Sequence, residues 1–228
     1  MDCARKMKST LSPMFAAIAV AAAFAALPAQ AQVKGNIEAG AGKVAMCIGC
    51  HGITGYKTNF PEVYHVPKIA GQNAKYIVAA LEEYKKGGRK HPSMRGIAGS
   101  MTDQDMADVA AYYEALGEIK GAPALPAPPQ ASAAVTALLQ KGACVSCHGE
   151  NFNKPIDPSY PKIAGQYPDY LYLSLKSYKD NTHATWGRGN PIMAGMAKQF
   201  SNAELKAIAQ YIGSLPAEIK TVQQSDFR

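Results

Sequence analysis

Two cysteine pairs, each followed directly by a histidine, are the residues of this 228-residue chain whose spacing points most clearly to a chemistry. The two sets are Cys47, Cys50 and His51, and then Cys144, Cys147 and His148. Cysteines three positions apart project to one side of a helical turn, so both thiols can add to the two vinyl groups of one porphyrin edge. The histidine that follows supplies an axial ligand to the iron. This is the attachment signature of c-type haem, and its two copies predict two haem c groups.

Three other uses of paired cysteines remain open at this point. Two such pairs could hold a structural zinc ion. A thioredoxin-like redox motif has the same C-x-x-C spacing, but it needs a βαβ context, and no strand pattern surrounds these cysteines. Each pair could also close a small disulfide loop. A second copy of the same motif in a matching position favours haem over all three.

The chain repeats itself, which indicates two copies of one domain. The segment at residues 67–72, Pro-Lys-Ile-Ala-Gly-Gln, recurs unchanged at residues 161–166. Three positions after each segment also correspond: Tyr76, Leu81 and Tyr84 in the first half, and Tyr170, Leu175 and Tyr178 in the second. Residues 121–130 contain four prolines and cannot form a helix interior. We therefore predict an N-terminal domain at residues 32–120, a linker at 121–130 and a C-terminal domain at 131–228.

The first 31 residues have the organisation of a cleavable secretory signal. Arg5, Lys6 and Lys8 form its basic start, residues 14–27 are apolar, and residues 29–31, Ala-Gln-Ala, provide the cleavage site. The apolar run is shorter than the about 20 residues that span a bilayer, so cleavage is expected rather than anchoring. The sequence therefore predicts an exported, periplasmic protein that is soluble or docked peripherally at the membrane.

The spacing of apolar residues predicts an all-α fold in both halves. A short helix is expected at residues 38–47, and a longer one at 73–86 that two glycines bring to an end. Two pairs have capping-box spacing and should each start a final helix: Thr102 with Asp105, and Ser201 with Glu204. The buried stripes of these helices are expected to be Met106, Val109, Ala110 and Tyr113, and Leu205, Ile208, Ala209 and Ile212.

A haem iron with one histidine ligand has a sixth position, for which the repeat offers one matching pair of methionines. Met94 and Met193 each lie eight residues before the cap of the final helix. Methionine opposite histidine is typical of a high-potential electron-transfer haem, so we assign these two as the distal ligands. Three other methionines are expected to fill the core: Met46, Met106 and Met196. Histidine is the competing ligand type, but the spare histidines have no clear counterparts between the halves and are expected on the surface or in loops: His65, His91 and His183.

Further residues can support the haem sites without binding iron. Pro67 and Pro161 follow the haem histidines by a loop, and we predict that their carbonyls accept the Nδ1–H of His51 and His148. Prolines that only shape the loop are the alternative. Four matching tyrosines could bond haem propionates or simply pack: Tyr76, Tyr84, Tyr170 and Tyr178. Trp186 has no assigned role.

The double C-x-x-C-H motif, the repeated Pro-Lys-Ile-Ala-Gly-Gln segment and the methionine before each final capped helix resemble the dihaem cytochrome c4 family. The resemblance spans essentially the whole chain after residue 31. It implies two tandem class I cytochrome c domains related by pseudo-twofold symmetry, with the haems near the domain interface. It also implies a periplasmic role in which electrons pass from a quinol-oxidising complex towards a terminal oxidase. Gly40 and Gly42 lie where such domains let their first and last helices cross, whereas the second half has Ala-Ser-Ala-Ala at residues 131–134.

The leading functional hypothesis is an electron carrier rather than an enzyme, because no catalytic Ser/His/Asp set or carboxylate pair stands out. The second is the electron-accepting subunit of a flavin- or quinone-linked dehydrogenase, such as a sulfide-oxidising flavocytochrome. A haem peroxidase is the third, and it would need an open sixth position on the iron. The formal net charge of +7 favours redox partner proteins with acidic docking surfaces. The basic residues, including Arg89 and Lys90, are scattered and expected on solvated faces, which argues against nucleic-acid binding.

Overall fold

The structure is a computed structural model that describes residues 33–118, 121 and 123–223. They belong to one compact unit, Val33–Arg228. The predicted signal at residues 1–31 lies outside the described residues. Among the helices that are described, none is both long and apolar enough to cross a membrane.

The described residues form the same order of five helices twice. The first half contains α1 (Ile37–Ala41), α2 (Ala45–His51), α3 (Ala74–Lys86), α4 (Pro92–Gly99) and α5 (Asp103–Leu116). The second half contains α6 (Ala133–Lys141), α7 (Cys144–His148), α8 (Pro168–Lys179), α9 (Pro191–Lys198) and α10 (Asn202–Ser214). Between them, residues 123–132 form neither helix nor strand. The architecture is therefore two tandem copies of one all-α fold.

The single helix expected at residues 38–47 is wrong, because the chain forms two helices there. The first ends at Ala41, where the N–H of Gly42 bonds the Gly40 carbonyl instead of continuing the helical ladder. Gly40 itself marks a close helix crossing, since a Cβ at that position would lie 2.2 Å from the carbonyl oxygen of Asp108 on α5. A Cβ on Gly42 would make only an ordinary 3.6 Å contact. Of these two glycines, the crossing requires Gly40.

The ends of the longer helices agree with the sequence prediction. Helix α3 ends at Gly87, whose φ of 84° is the left-handed conformation that a glycine C-cap supplies. The hydroxyls of Thr102 and Ser201 accept the backbone N–H three residues on, and the carboxylates of Asp105 and Glu204 accept the cap N–H in return. Both capping boxes are confirmed, so α5 and α10 start at equivalent points.

Each half has its own apolar core, built on its final helix. Helix α5 packs against α1 and α3, and α10 packs against α8 and α6. The two predicted stripes are both buried: Met106, Val109, Ala110 and Tyr113, and Leu205, Ile208, Ala209 and Ile212. The periodicity of the sequence thus identified the inward faces of both final helices.

Two short strand pairs lie outside the helical pattern. Strand β1 (Lys57–Thr58) pairs antiparallel with β2 (Tyr64–His65), within the first half. Strand β3 (Arg89–Lys90) pairs antiparallel with β4 (Gly187–Arg188), so it joins the two halves. Two residues are too few to show the alternation by which a strand is recognised in a sequence.

The repeated Pro-Lys-Ile-Ala-Gly-Gln segments contact each other across the two halves by reciprocal hydrogen bonds. The backbone N–H of Lys68 donates to Gln166 Oε1 at 3.0 Å, and that of Lys162 donates to Gln72 Oε1 at 2.9 Å. In return, the Gln72 amide donates to the Lys162 carbonyl at 2.8 Å, and the Gln166 amide donates to the Lys68 carbonyl at 2.9 Å. Such an exchange is the mark of a twofold relation. The two halves are therefore related by pseudo-twofold symmetry.

Candidate haem-binding sites

A cavity of about 280 Å³ in the first half brings together the residues that the first haem motif predicts. Cys47, Cys50, His51 and Met94 all line it. Its wall is largely apolar, with Ile77, Leu81 and Val109 among the lining residues, and residues 161–163 of the second half complete one side. The structure therefore places the predicted ligands of the first site around one apolar space.

Short helices present all four cysteines of the two motifs as free thiols. On α2, Cys47 is half-buried and Cys50 is exposed, and on α7 both Cys144 and Cys147 are half-buried. None of the four forms a disulfide, whereas the disulfide-loop alternative would join the two cysteines of each pair. In the part of the chain that the structure describes, no group of three or more His, Cys, Asp or Glu side chains could hold a metal ion.

Gly149 sets the end of the second motif helix. It follows His148 directly, with a φ of 79° that favours glycine. A Cβ there would lie 2.0 Å from the carbonyl oxygen of Lys154, so the returning loop passes against this backbone. The close approach fixes the point at which the chain leaves the histidine.

The histidines of the two C-x-x-C-H motifs make the same hydrogen bond to a proline carbonyl. His51 Nδ1 lies 2.9 Å from the oxygen of Pro67, and His148 Nδ1 lies 3.1 Å from the oxygen of Pro161. Because a carbonyl only accepts, each Nδ1 carries the proton and each Nε2 keeps a free lone pair. Burial lowers the pKa of both imidazoles, and the carbonyl bonds oppose this only in part. Both rings are therefore held neutral and oriented, which is the form that binds a metal.

Met94 and Met193 occupy equivalent places in the two halves. Each is half-buried and is the third residue of its helix, α4 or α9. The capping residue accepts the backbone N–H of each methionine, His91 Nδ1 at 3.3 Å and Asn190 Oδ1 at 3.0 Å. His91 thus caps α4 from the preceding loop, beside the first cavity, and its Nδ1 is engaged by the backbone.

The other two spare histidines lie in different settings. His65 does not lie in a loop, because it belongs to β2, where its Nδ1 is 2.6 Å from an Asp169 carboxylate oxygen of the second half. Its ring also stacks on Tyr167, with 4.5 Å between the ring centroids. His183 is exposed and its ring stacks on Trp186, with 4.0 Å between the ring centroids.

The methionines expected in the core differ in burial. Met106 is fully buried, as expected, and Met196 is half-buried. Met46 is 57% exposed, so its assignment to the core is wrong. It lines the first cavity beside Cys47, and more than half of its surface is in solvent there.

Two arginines at the junction of the halves were missed by the sequence analysis, which placed Arg89 on a solvated face. Arg89 is only 7% exposed and Arg188 is half-buried. Each donates to a tyrosine hydroxyl, Arg89 to Tyr76 at 2.7 Å and Arg188 to Tyr170 at 3.0 Å. The repeat could have revealed these arginines, because each lies five residues before the predicted methionine ligand of its half.

The surroundings of this arginine pair are aromatic rather than acidic. The guanidinium carbons lie 5.3–5.4 Å from the ring centroids of four tyrosines: Tyr76 and Tyr84 for Arg89, and Tyr170 and Tyr178 for Arg188. No carboxylate of the described residues forms an ion pair with either arginine. Burial alone would raise the pKa of Tyr170, but Arg188 and Arg89 outweigh it and lower that pKa. The junction therefore carries a surplus of buried positive charge.

These features fit a haem at the first site, and the repeated geometry extends the fit to the second. Cys47 and Cys50 lie at one edge of an apolar cavity, with the oriented imidazole of His51 and the side chain of Met94 on its wall. Arg89 lines the same cavity and would hold propionate groups there. Buried cations without anionic partners are costly, so carboxylates at this point would relieve the arginine pair.

Comparison with known proteins points in the same direction. The cytochrome c family model matches residues 37–116 and 132–216. Cytochrome c4 of Azotobacter vinelandii is 32% identical over 203 residues, which covers 81% of this chain and 91% of that protein. The thiosulfate dehydrogenase electron acceptor of Stutzerimonas stutzeri (strain A1501) is 30% identical over 220 residues, which covers 92% of this chain and 97% of that protein. The crystal structure of reduced recombinant cytochrome c4 from Pseudomonas stutzeri matches with a TM-score of 0.57 and 28% identity, over 79% of this chain and 99% of that chain.

Proposed function

The chain belongs to the dihaem cytochrome c4 family, and we propose that it carries single electrons in the periplasm from a quinol-oxidising complex or a dehydrogenase to a terminal oxidase. The family has two tandem cytochrome c domains with one haem c in each. An electron-carrying role needs no catalytic group on the chain itself. Its redox partners are other proteins.

The observation that carries this proposal is the convergence of Cys47, Cys50, His51 and Met94 on one cavity. The two cysteines would form the thioether links, with His51 and Met94 as axial ligands of the iron. The equivalent residues of the second half are Cys144, Cys147, His148 and Met193. Their helices and hydrogen bonds repeat those of the first half, which supports the same assignment there.

The side chains around each site have separate tasks in electron transfer. Haem iron, when bound, takes up and releases one electron as it cycles between its ferrous and ferric forms. The carbonyls of Pro67 and Pro161 fix the histidine rings and make their Nε2 atoms more basic. The buried stripes of α5 and α10 keep water from the inner side of each site. Low polarity disfavours the additional positive charge of the ferric form, and with the methionine ligand it raises the reduction potential.

The arginine pair supports exchange of electrons between the two halves. Arg89 and Arg188 lie where the halves meet, and Arg89 also lines the first cavity. Positive charge there favours the reduced, less positive state of a nearby redox centre. Two centres in one molecule can then hold two electrons or pass one internally, while each encounter with a partner transfers one.

The net positive charge of the polypeptide supports partners with acidic docking surfaces. Opposite charges steer association, and added salt screens them. The direct test is rapid mixing of the oxidised, purified holoprotein with a quinol-oxidising complex, and of the reduced holoprotein with a terminal oxidase. We expect both transfers, with rates that fall as ionic strength rises. Absence of either transfer would refute the proposed role between a quinol-oxidising complex and a terminal oxidase.

A second candidate is the electron acceptor of a thiosulfate-oxidising dehydrogenase. The similarity to the Stutzerimonas stutzeri acceptor, which spans nearly the whole length of both proteins, favours it. Mixing the oxidised holoprotein with thiosulfate and a purified thiosulfate dehydrogenase separates the two candidates. Faster reduction by this enzyme than by the quinol-oxidising complex would favour the second.

A further inference from the structure

The hydroxyl of Tyr113 is a buried polar group without a partner. Tyr113 lies on α5 with 3% of its surface exposed, in the core of the first half. Its oxygen is inaccessible to solvent, and in the described part of the chain it has no hydrogen-bond partner within ordinary distance and angle limits. Nearly all buried hydroxyls in proteins are paired, so one that is not calls for a ligand or a special role.

This hydroxyl belongs to the first haem site. Tyr113 lines the same cavity as Cys47, His51 and Met94. Cys47 packs against the same core cluster as Tyr113, so its sulfur is the haem-attachment atom nearest in the packing to this hydroxyl's side chain. Burial raises the pKa of the Cys47 thiol, and interaction with the Tyr113 hydroxyl opposes that rise. Burial likewise raises the pKa of Tyr113, and Cys47 adds to the effect, so the phenol stays protonated and able to donate.

The second half lacks this feature. Tyr112 and Tyr211 correspond in the repeat, so the next residues, Tyr113 and Ile212, correspond as well. Ile212 is equally buried, with 4% of its surface exposed, and belongs to the core of the second half. An aliphatic side chain cannot donate a hydrogen bond. The two haem sites therefore differ at one inward-facing position of the final helix.

We infer that Tyr113 donates a hydrogen bond to the thioether sulfur of Cys47 in the holoprotein and thereby raises the reduction potential of the first haem relative to the second. The inference rests on the proposed haem attachment. A thioether sulfur has lone pairs but no proton, so the phenol is the only possible donor of the pair. The bond draws electron density from the sulfur and the ring edge joined to it. Electron withdrawal disfavours the electron-poor ferric form, as hydrogen bonds to sulfur ligands do in other redox centres.

The test is a spectroelectrochemical titration of the holoprotein of Tyr113→Phe, with haem-methyl NMR signals to assign each potential to its haem. We expect the potential of the first haem to fall and that of the second to stay unchanged. Only the difference in the strength of this bond between the ferrous and ferric states moves the potential, and the net worth of a whole hydrogen bond is its upper limit. At a fixed potential, the ratio of reduced to oxidised haem should therefore fall by up to about tenfold. A tenfold change corresponds to about 59 mV for one electron.

The matched control is Tyr211→Phe, the same chemical change on the final helix of the second half. The Tyr211 hydroxyl donates to the Pro129 carbonyl at 3.4 Å, in the segment that links the two halves, and its removal should move neither potential. Replacement of Tyr113 by a fluorinated, more acidic tyrosine should raise the first potential, a response that a packing role alone does not produce.

Two results would overturn the inference: a first-haem potential that is unchanged or raised in Tyr113→Phe, or an equal shift of both haems. Failure of the proposed haem attachment would look different. In that case the wild-type protein itself would not show two one-electron haem transitions.

Discussion

Arg89 and Arg188 are direct partners in the antiparallel strand pair that joins the two halves of the chain. Like charges opposite one another on paired strands are destabilising, and burial makes them more so. Their hydrogen-bond partners are the hydroxyls of Tyr76 and Tyr170. Negative charge nearby, which haem propionates would supply, would relieve the repulsion between the two guanidinium groups.

Replacement of Arg188 by glutamine should weaken the holoprotein and lower its reduction potentials. Loss of a hydrogen bond to a charged group costs about 1.5–3 kcal/mol of unfolding free energy. Removal of a positive charge between the sites disfavours the reduced state of both haems. Denaturant unfolding and a spectroelectrochemical titration measure the two effects.

Arg95→Gln is the control for this change. It removes the same charge from the chain, but Arg95 is exposed on α4. It should leave unfolding and potentials close to wild type. An Arg188→Gln protein as stable as the control, with unchanged potentials, would show that the pair does not hold an anionic group.

Met94→Ala should remove the methionine ligand from one haem of two. We expect the sulfur-to-iron charge-transfer band at the red edge of the oxidised spectrum to fall to about half its wild-type intensity. Met46→Ala is the matched control, since Met46 is adjacent to the motif but 57% exposed. Full band intensity in Met94→Ala would assign the sixth position to another residue, and His91 would be the first to examine.

Gly40→Ala should destabilise the first half, because the new Cβ would lie 2.2 Å from the Asp108 carbonyl oxygen and force α1 away from α5. Overpacking of this kind costs about 1–3 kcal/mol. Gly96→Ala, on α4 with open space around its Cα, should instead stabilise the protein by about 0.5–1 kcal/mol. Denaturant unfolding of the two holoproteins compares them. Equal stabilities would contradict the close crossing at Gly40.

The stability of the protein should fall in acid partly through Asp108. A hydrogen bond with Lys43, assisted by the backbone N–H of Asn36, lowers the pKa of this carboxyl below its ordinary value of 3.8. A depressed pKa in the folded state stabilises the fold above the unfolded value and loses that contribution as pH falls through the folded value.

Asp108→Asn should therefore be less stable than wild type at pH 7, and the difference should vanish as the pH is lowered from about 4. Urea unfolding of the holoproteins across that range is the measurement. Asp103→Asn removes one carboxylate from the same helix and is the control for the loss of one negative charge. A difference between wild type and Asp108→Asn that is constant with pH would mean that the carboxylate charge is not involved.

Local patterns in the sequence predicted much of the fold. The capping boxes at Thr102 and Ser201 and the buried stripes that follow them depend on residues within one helix, so spacing alone defines them. The break after Ala41 was missed, and so was the crossing beside it, in which Gly40 packs against α5 more than sixty residues away. Contacts of that range leave no periodic trace in the chain.

The part of the candidate sites that the sequence did not predict lies at the junction of the two halves. A basic pair such as Arg89 and Lys90 is usually solvated, and only the partner strand buries the arginine. The identical hexapeptides at residues 67–72 and 161–166 were recognised as a repeat, but their mutual contact through Gln72 and Gln166 was not. Identity in sequence reveals two copies of a unit, whereas the surface by which they meet depends on tertiary structure.

The intact mass of the exported protein is the most direct test of whether two haems are covalently attached at Cys47 and Cys50 and at Cys144 and Cys147. We predict the mass of the polypeptide from residue 32 onwards increased by two haem groups, with the increase retained after denaturation because thioether bonds are covalent. A mass equal to that of the polypeptide alone, or haem lost on denaturation, would contradict the assignment.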